Sequence, residues 1–406
     1  MIKLTKKITR SIILLISSIL LFTSNSLSQG VWTKKADCPI GISNRCVGFS
    51  IGTNGYIGTG QDSTYASSKS FWEYEPATDS WTQKADFDGS ARHGAVGFSI
   101  GSKGYIGTGL SGSTFLNDFW EYDPSLNSWT TKANLPGPPR IYGTGFSILN
   151  KGYIGNGDTT ASGDFTNDFW EYDPIVDTWT ALSFPGIGRG PGVGFSIGSM
   201  GYFGTGNGGA IDFPQSDFWK FDPSTNSWSQ LANIPIPKCG AAGFSLFGKG
   251  YIGTGADSLS LAFPLSSRDF WEYDPSLNTW TQKADFGGTA RSHAVAFSIG
   301  SIGYMGSGDN TKDFWAYDPN ALGLNELQNT PQISVYPNPS SGQFNFNGLE
   351  KGNKIEVFDM TGKLIFEGRA TSDFETINIS ENAKGIYFYR ITDESKLVQS
   401  GKIALQ

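Results

Sequence analysis

A positively charged residue recurs in this chain at a fixed distance before one apolar motif. It lies six residues before the Phe of a Gly-Phe-Ser-Ile-type strand, at Arg92, Arg140, Arg189, Lys238 and Arg291, and Arg45 lies near the same place in the first copy, which has Ser43 instead. Clustered guanidinium and ammonium groups attract carboxylate or sulfate. If the copies form a ring, these cations surround the mouth of its channel, where they either bind a ligand or tie chain segments together.

Two further groups of residues could take part in binding at this end of the ring. The chain has two histidines, His93 and His293, each just after a cation, and we place both with the cations in the predicted ligand site. Aromatic residues also occur in the variable loops and could stack on sugars or anchor a protein, or else cover their own loops. They are Tyr65, Phe115, Phe165, Phe213 and Phe263.

The sequence predicts no catalytic residues, metal or cofactor. Two isolated imidazoles fall short of the three protein ligands of a catalytic zinc, and neither a G-x-S-x-G elbow nor a zinc-protease motif occurs. A carboxylate precedes nearly every Phe-Trp pair, a regularity typical of structural bonding. Of the three cysteines, Cys38 and Cys46 could form a disulfide in an oxidising compartment, or remain thiols like Cys239.

The elements that position these residues follow from the tryptophans. Six belong to Phe-Trp pairs, five more close a unit after an Asx-x-Trp turn, and Trp32 supplies the closing strand that the sixth unit lacks. Units of about 50 residues with four short strands each are typical of propellers. The sequence therefore predicts an all-β fold: a six-bladed β-propeller over residues 29–320, closed by its N-terminal strand, then a linker over 321–330.

The repeated motif resembles the kelch family. An apolar strand that ends in glycines is followed by a spaced Tyr and a Trp, as in Gly104–Gly109 with Tyr122 and Trp129. The family's double glycine is here Gly-Thr-Gly or a close variant. The resemblance covers roughly residues 30–320 and implies a six-bladed propeller. In kelch proteins the residue at the cation position is sometimes a ligand contact and sometimes a tie between blades.

The tail resembles a different family. Tyr336-Pro337-Asn338-Pro339, a Thr-Gly-Lys hairpin at 361–363 and Ala-Lys-Gly-Ile-Tyr at 383–387 are similar to the C-terminal sorting domain of type IX secretion. Its strands and turns predict a small β-sandwich over residues 331–406. The resemblance implies a Bacteroidota-like cell and type IX machinery as a partner, which delivers the protein outside the cell or to the outer-membrane surface.

The N-terminus and the charge agree with export. Basic residues precede an apolar run from Ile12 to Phe22, so residues 1–28 are predicted to be a signal peptide. No later stretch of the mature chain is apolar enough to span a membrane. Loss of the four basic residues of the leader lowers the formal charge from −7 to −11. Such an acidic protein is a poor partner for nucleic acid.

These observations favour a non-catalytic module that binds a protein or a glycan outside the cell. The alternative is a mutarotase or isomerase that acts on sugar acids similar to sialic acid and uses the basic ring at the channel mouth. Reactive groups that break the six-fold regularity would favour the enzyme. The identity of the ligand and the choice between release and surface attachment are left open by the sequence.

Overall fold

All regular elements in the described residues are β-strands, which confirms the all-β prediction. The computed structural model describes residues 29–40, 43–160, 163–208, 213–257, 266–321, 333–393 and 396–406. The chain forms two compact units that divide between Gly323 and Leu324. The predicted signal peptide and all of the predicted linker except Ala321 lie outside the described residues. No helix within those ranges is long and apolar enough to cross a membrane.

The N-terminal unit is built from small antiparallel sheets, six of which have four strands. The first three sheets comprise Val47–Ile51, Asn54–Gly58, Phe71–Glu75 and Ser80–Gln83; Val96–Ile100, Lys103–Gly107, Phe119–Asp123 and Ser128–Lys132; and Thr144–Ile148, Lys151–Gly155, Asp168–Asp173 and Thr178–Ser183. The next three comprise Val193–Ile197, Met200–Gly204, Phe218–Asp222 and Ser227–Gln230; Ala242–Leu246, Lys249–Gly253, Phe270–Asp274 and Thr279–Gln282; and Val295–Ile299, Ile302–Gly306, Phe314–Asp318 and Val31–Lys35. We number these sheets 1 to 6 in that order.

The six sheets follow one another around a ring. The first strand of each sheet contacts the first strand of the next, and Val295–Ile299 of sheet 6 contacts Val47–Ile51 of sheet 1. Sheet 6 takes its outer strand from the N-terminus, where Trp32 lies opposite Tyr317. The N-terminal strand therefore completes the last sheet, and the last sheet packs against the first. The arrangement of the six sheets is propeller-like.

Short strands extend the loops at one end of this ring. Ser43–Asn44 pairs with Gln61–Asp62, and Leu110–Ser111 pairs with Thr114–Phe115. Arg189–Gly190, Asn207–Gly208 and Phe213–Pro214 form a third small sheet. In sheets 1 and 4 these pairings hold the segment before the first strand against the loop between the second and third strands, and the bridges His93–Leu110, Ile141–Asp158 and Cys239–Ala256 do so in sheets 2, 3 and 5. The predicted site residues and the variable loops therefore share one end.

Strand formation follows from the alternation in the sequence. In Val96–Ile100 the buried Val96, Phe98 and Ile100 alternate with half-buried residues, as expected for a strand with two unequal faces. The tight turn that follows places Gly101 at a φ of 58°, a left-handed conformation that glycine adopts without steric cost. The core then lies between sheets, where large flat rings bury most area.

Aromatic packing joins each sheet to the next. Phe71 of sheet 1 packs edge-on against Tyr122 of sheet 2, with ring centroids 4.8 Å apart, and against the closing Trp129 at 5.0 Å. Phe119 meets Tyr172 and Trp179 of sheet 3 in the same way, at 4.9 and 5.0 Å. The Phe of the Phe-Trp pair thus fills the wedge between its own sheet and the following one.

A polar latch accompanies this packing. The Trp129 indole donates to the carbonyl of Ala85 in the preceding sheet's segment at 3.2 Å, while the Asn127 side-chain oxygen accepts from the Ala85 N–H at 2.9 Å. Asn127 also accepts from the Tyr122 hydroxyl at 2.8 Å. Both backbone groups of one alanine are therefore satisfied across the sheet boundary. The indole half of the latch recurs at Trp81–Ala36, Trp179–Ala133, Trp280–Ala232 and Trp32–Ala284.

The boundary between sheets 3 and 4 lacks the latch. Trp228 is packed like its equivalents, but its indole N–H is buried without a hydrogen-bond partner among the described residues. Phe221 stands where four other sheets have the Tyr whose hydroxyl bonds to the turn. In place of the latch, Trp228 makes ring contacts, 4.9 Å from Phe221 and 5.0 Å from Phe184.

The C-terminal unit consists of two antiparallel sheets. One contains Ser334–Tyr336, Gln343–Asn347 and Phe374–Asn378, and the other contains Leu364–Arg369, Lys354–Phe358, Gly385–Asp393 and Lys396–Leu405. Buried residues of both sheets share one apolar cluster that includes Phe344, Phe346, Val357, Ile391 and Ile403. The unit therefore has a core of its own.

Candidate functional site

The five predicted cations lie in buried ion pairs, each within its own sheet. Arg92 is fully buried and donates from its two terminal nitrogens to the two carboxylate oxygens of Asp118, both at 2.6 Å. It also donates to the carbonyls of Ser90 and Thr108, at 3.0 and 2.9 Å. The equivalent pairs are Arg140–Asp168, Arg189–Asp217, Lys238–Asp269 and Arg291–Asp313. Each pair ties the segment before the first strand to the residue before the Phe-Trp pair.

These pairs hold their aspartates in the charged form. Burial alone would raise the pKa of Asp118, but the hydrogen bonds and charge of Arg92 outweigh it and the pKa is lowered. The Trp120 indole assists by donating to the same carboxylate at 2.8 Å. The shift has the same direction and the same leading causes at Asp168, Asp217, Asp269 and Asp313. The charges of the five cations are therefore balanced within the protein.

Sheet 1 carries neither partner of this pair. Its cation position is Ser43, whose side chain is outside the described residues, and its carboxylate position is Ser70. The Trp72 indole N–H, equivalent to that of Trp120, is consequently buried with no hydrogen-bond partner in the described part of the chain. Arg45, two positions after Ser43, makes a different set of contacts.

The first strands surround an axial cavity of about 150 Å³. Each of the six sheets contributes three consecutive residues to its wall, and almost all are Gly, Ala or Val; Cys46 and Thr144 are the exceptions. Such walls supply shape but little chemistry. The side chains that could act on a ligand must therefore come from the rim of the channel.

One column of residues at this rim departs from the repeat. Immediately before the cavity wall, the six sheets carry in order Arg45, Gly94, Tyr142, Pro191, Gly240 and His293. All except Pro191 have φ between 56° and 60°, including the three residues that are neither Gly nor Pro. Backbone hydrogen bonds link members of the column: Gly94 to Arg45, Tyr142 to Gly94, and His293 to Gly240. Non-glycine residues in this conformation are uncommon and cluster at functional sites.

The three large side chains of this column meet. The Tyr142 and His293 rings, from sheets 3 and 6, have centroids 5.7 Å apart, and the Arg45 guanidinium carbon lies 5.3 Å from the Tyr142 ring centroid. The glycines between them provide the space: a Cβ on Gly94 would lie 3.1 Å from Tyr142, and one on Gly240 would lie 3.3 Å from His293. We call Arg45, Tyr142 and His293 the axial cluster.

His293 is oriented by a hydrogen-bonded chain. The Ser292 hydroxyl donates to Asp309 at 2.8 Å and lies 3.0 Å from His293 Nδ1. Asp309 also accepts from the Ser292 N–H at 2.6 Å and from the Ser266 hydroxyl at 2.7 Å. Because the Ser292 hydroxyl donates its hydrogen bond to Asp309, the Ser292 oxygen accepts a hydrogen bond from Nδ1–H of His293. Nε2 of the neutral ring is then an acceptor. Burial, with the nearby Arg45 charge, lowers the pKa of His293 to about 4 and keeps the ring neutral.

The second histidine lies apart from this chain. His93 is buried, and its Nδ1 is 3.0 Å from the Ser67 hydroxyl of the neighbouring loop. Burial and the Arg45 charge lower the pKa of His93 to about 4. The structure thus places His93 and His293 near the same arginine, but it brings only His293 against Tyr142.

The loop aromatics occupy different environments. Tyr65 is 72% exposed at a loop tip, whereas Phe115, Phe165 and Phe213 are half-buried in or beside the short loop pairings. Phe263 lies outside the described residues. No group of three or more potential metal ligands occurs in the described residues. All three cysteines are thiols, and burial raises the pKa of Cys38 to about 12.

Sequence reasoning missed Tyr142, Ser292 and Asp309, and it noted Arg45 only as a neighbour of the cation position. The signal was present in the aligned repeats. A column that reads Arg, Gly, Tyr, Pro, Gly, His, beside columns that are nearly constant, is where a repeated scaffold departs from its own pattern.

Comparisons with known proteins bear on both units. Residues 334–406 match the family described as the secretion system C-terminal sorting domain. This sorting domain indicates export through type IX secretion to the cell surface or the extracellular space. The chain is also similar to the solved structure titled "Structure of YjhT", with a TM-score of 0.60 and 16% identity over 70% of this chain and 95% of that one. At that identity the likeness shows the fold alone. No curated protein matches the chain.

Proposed function

We propose that this protein is a kelch-type propeller with six blades that is delivered outside a Bacteroidota-like cell and there acts as a non-catalytic module that binds a protein or a glycan. The cyclic order of six four-stranded sheets and the likeness to YjhT support the propeller. The sorting domain, which we propose to be a small β-sandwich, supports the destination. The signal peptide over residues 1–28 completes the export route in this proposal.

The observation that carries the binding function is the axial cluster. Binding specificity on a rigid scaffold comes from the residues that vary among otherwise equal copies. Here three unlike side chains, Arg45, Tyr142 and His293, converge at one rim of the channel from sheets 1, 3 and 6. The variable loops and their aromatics open at the same end and would extend the contact area for a larger partner.

The five cations first considered as ligand contacts have a supporting role in this proposal. Each is fully or almost fully buried and already pairs with a carboxylate, so a ligand would have to displace that carboxylate to reach it. Breaking a buried pair leaves an uncompensated charge at a cost of about 3–5 kcal/mol. Direct contact between these cations and a ligand stays a prediction.

The binding function is tested with glycan and protein arrays probed by the purified exported chain. We expect retention of a ligand that is lost in a variant combining Arg45→Gln and Tyr142→Leu. Arg268→Gln is the matched control, because it removes the same positive charge away from the axial cluster. Arg268 is about half exposed and forms a long ion pair of 3.8 Å with Asp285. If no array ligand is retained, or if the control loses binding equally, the proposal fails.

A second candidate, a sugar-acid mutarotase, is favoured by one observation. The Asp309–Ser292–His293 chain leaves an imidazole nitrogen with a defined acceptor role at the rim, as proton transfer between anomers would require. Exchange between anomers of N-acetylneuraminate or glucuronate, followed by NMR, would detect this activity. A rate equal to that in buffer, or one unchanged by His293→Asn, would exclude it.

A further inference from the structure

The axial cluster contains an arginine that lacks the direct carboxylate partner of the other five cations in the described residues. Five cations at the neighbouring connections are each paired with an aspartate, whereas Arg45 forms no ion pair in the described ranges. Its NH1 makes one long hydrogen bond of 3.3 Å to the Gln61 side chain, and its Nε is buried without a partner. A half-buried guanidinium without a carboxylate partner can pair with a planar anion through its terminal nitrogens.

The ring of Tyr142 provides a surface beside that charge. The Arg45 guanidinium lies over it, and His293 approaches from the opposite sheet. The three backbones keep a left-handed conformation at a position that is glycine in two of the other three sheets. A large side chain kept where glycine would be unstrained is a candidate for a ligand contact.

The third member supplies an acceptor. The hydrogen-bonded chain from Asp309 through Ser292 fixes Nδ1 of His293 as the donor nitrogen, so Nε2 accepts. Since the imidazole is neutral, the axial cluster carries one positive charge, that of Arg45. Asp309 is engaged by Ser266 and by two groups of Ser292, and it does not contact Arg45 through any hydrogen bond or ion pair of the described residues.

From these three groups we infer that the axial cluster binds a small hydroxylated monocarboxylate: its carboxylate pairs with Arg45, a hydroxyl donates to His293 Nε2, and an apolar face lies on Tyr142. This inference rests on the proposed binding function and names the ligand class for its site. A neutral sugar would leave the Arg45 charge uncompensated, and a carboxylate without a hydroxyl would leave the His293 acceptor unpaired.

Calorimetric titration of the full chain tests the inference with defined probes. D-glucuronate, D-gluconate and L-lactate carry both groups, D-glucuronamide lacks the charge, and acetate lacks the hydroxyl. We expect at least one of the first three to bind at least tenfold more tightly than glucuronamide and acetate. Arg45→Gln should weaken that binding at least tenfold, and Arg268→Gln should leave it unchanged. His293→Asn, which suits the left-handed backbone, should weaken the hydroxy acids but not acetate.

The outcomes separate this inference from the proposed function. If none of the three hydroxy acids binds at least tenfold more tightly than acetate and glucuronamide, or if Arg45→Gln binds as well as Arg268→Gln, the inference is wrong. Retention of an array ligand that is insensitive to Arg45→Gln would then leave a binding module with a different site. If arrays also retain nothing, both proposals fail. Thermal unfolding of each variant establishes that a loss of binding is not a loss of the fold.

Discussion

Replacing Trp179 by phenylalanine should destabilise the N-terminal unit more than the same change at Trp228. The two residues close sheets 3 and 4 at equivalent positions. The Trp179 indole donates to the Ala133 carbonyl across the sheet boundary at 2.8 Å, whereas the Trp228 indole is buried without a partner among the described residues. The comparison therefore isolates the polar latch from the ring packing that accompanies it.

The difference in free energy of unfolding between the two variants depends on their ring contacts and on the indole hydrogen bond. Two ring contacts are matched, since Trp179 lies 5.0 Å from Phe119 and 4.9 Å from Tyr172, and Trp228 lies 5.1 Å from Phe169 and 4.9 Å from Phe221. Trp228 also lies 5.0 Å from Phe184, and the latched Trp129 matches this third contact with Phe87 at 5.0 Å. The loss of ring area should thus largely cancel. Trp179→Phe forfeits a hydrogen bond of about 1 kcal/mol, whereas Trp228→Phe removes an unsatisfied N–H that costs about 1–3 kcal/mol. We expect the two changes to differ by about 2–4 kcal/mol in the free energy of unfolding.

Urea unfolding followed by tryptophan fluorescence measures this difference. All 12 tryptophans lie between Trp32 and Trp315, so the signal reports the N-terminal unit and not the sorting domain. With a denaturant slope of about 3 kcal/mol/M, the two midpoints should differ by about 0.7–1.3 M. Trp129→Phe serves as a second latched control, since its indole bonds Ala85 at 3.2 Å. Equal midpoints for the Trp179 and Trp228 variants, or a larger loss at Trp228, would refute the role assigned to the latch.

Three other predictions concern the same unit. Arg140→Met should cost about 3–5 kcal/mol in the free energy of unfolding, because it leaves the Asp168 carboxylate without its cation. Arg140→Lys should cost less, since Lys238 fills the equivalent place in sheet 5. Equal urea midpoints for both variants would contradict the role of the ion pair. The pKa of Asp168 and of its four equivalents is lowered in the folded state, so the stability they contribute is present above the unfolded pKa of about 4 and is lost as pH falls through the folded value. Urea midpoints should therefore drop between about pH 5 and pH 2, and less steeply in Asp168→Asn; a pH-independent midpoint would count against this. Trp32→Ala should cost about 3–5 kcal/mol, because the ring lies within 5.0 Å of Phe270 and Tyr317, and limited proteolysis should then cut first within residues 29–36; wild-type resistance there would show that the N-terminal strand does not hold sheet 6 closed.

The repeat made much of the fold predictable. Alternation places Phe98 and its neighbours in strands, and the intervals between Phe-Trp pairs predict sheets of equal construction. The pairing of Val31–Lys35 with Phe314–Asp318 is present in the structure, where the N-terminal segment supplies the strand that the last unit lacks. Local patterns of this kind predict the folded structure because each unit buries the same face against an equivalent neighbour.

The candidate site was less predictable, because spacing along the chain does not report which charges meet. The cations at Arg92 and its equivalents are regular in sequence and therefore look like a designed ring. Their partners, the aspartates before five of the Phe-Trp pairs, are equally regular. The ion pair between the two, such as Arg92–Asp118, joins residues 26 positions apart in the chain and forms only when the sheet folds. Conversely, Arg45, Tyr142 and His293 lie about 100 and 150 residues apart, and no pattern joins them in the chain.

The sequence by itself determined the all-β architecture, the number and order of the repeated units and the sorting signal at the C-terminus, since these depend on periodicity and on local motifs. Only the tertiary structure decided which polar groups pair within the protein and which could contact a ligand. Burial places five cations against carboxylates that neutralise them, and ring closure carries three unlike residues from sheets 1, 3 and 6 to one rim. Charge balance and proximity are properties of three-dimensional packing, because both depend on distances between residues that the order of the chain leaves free.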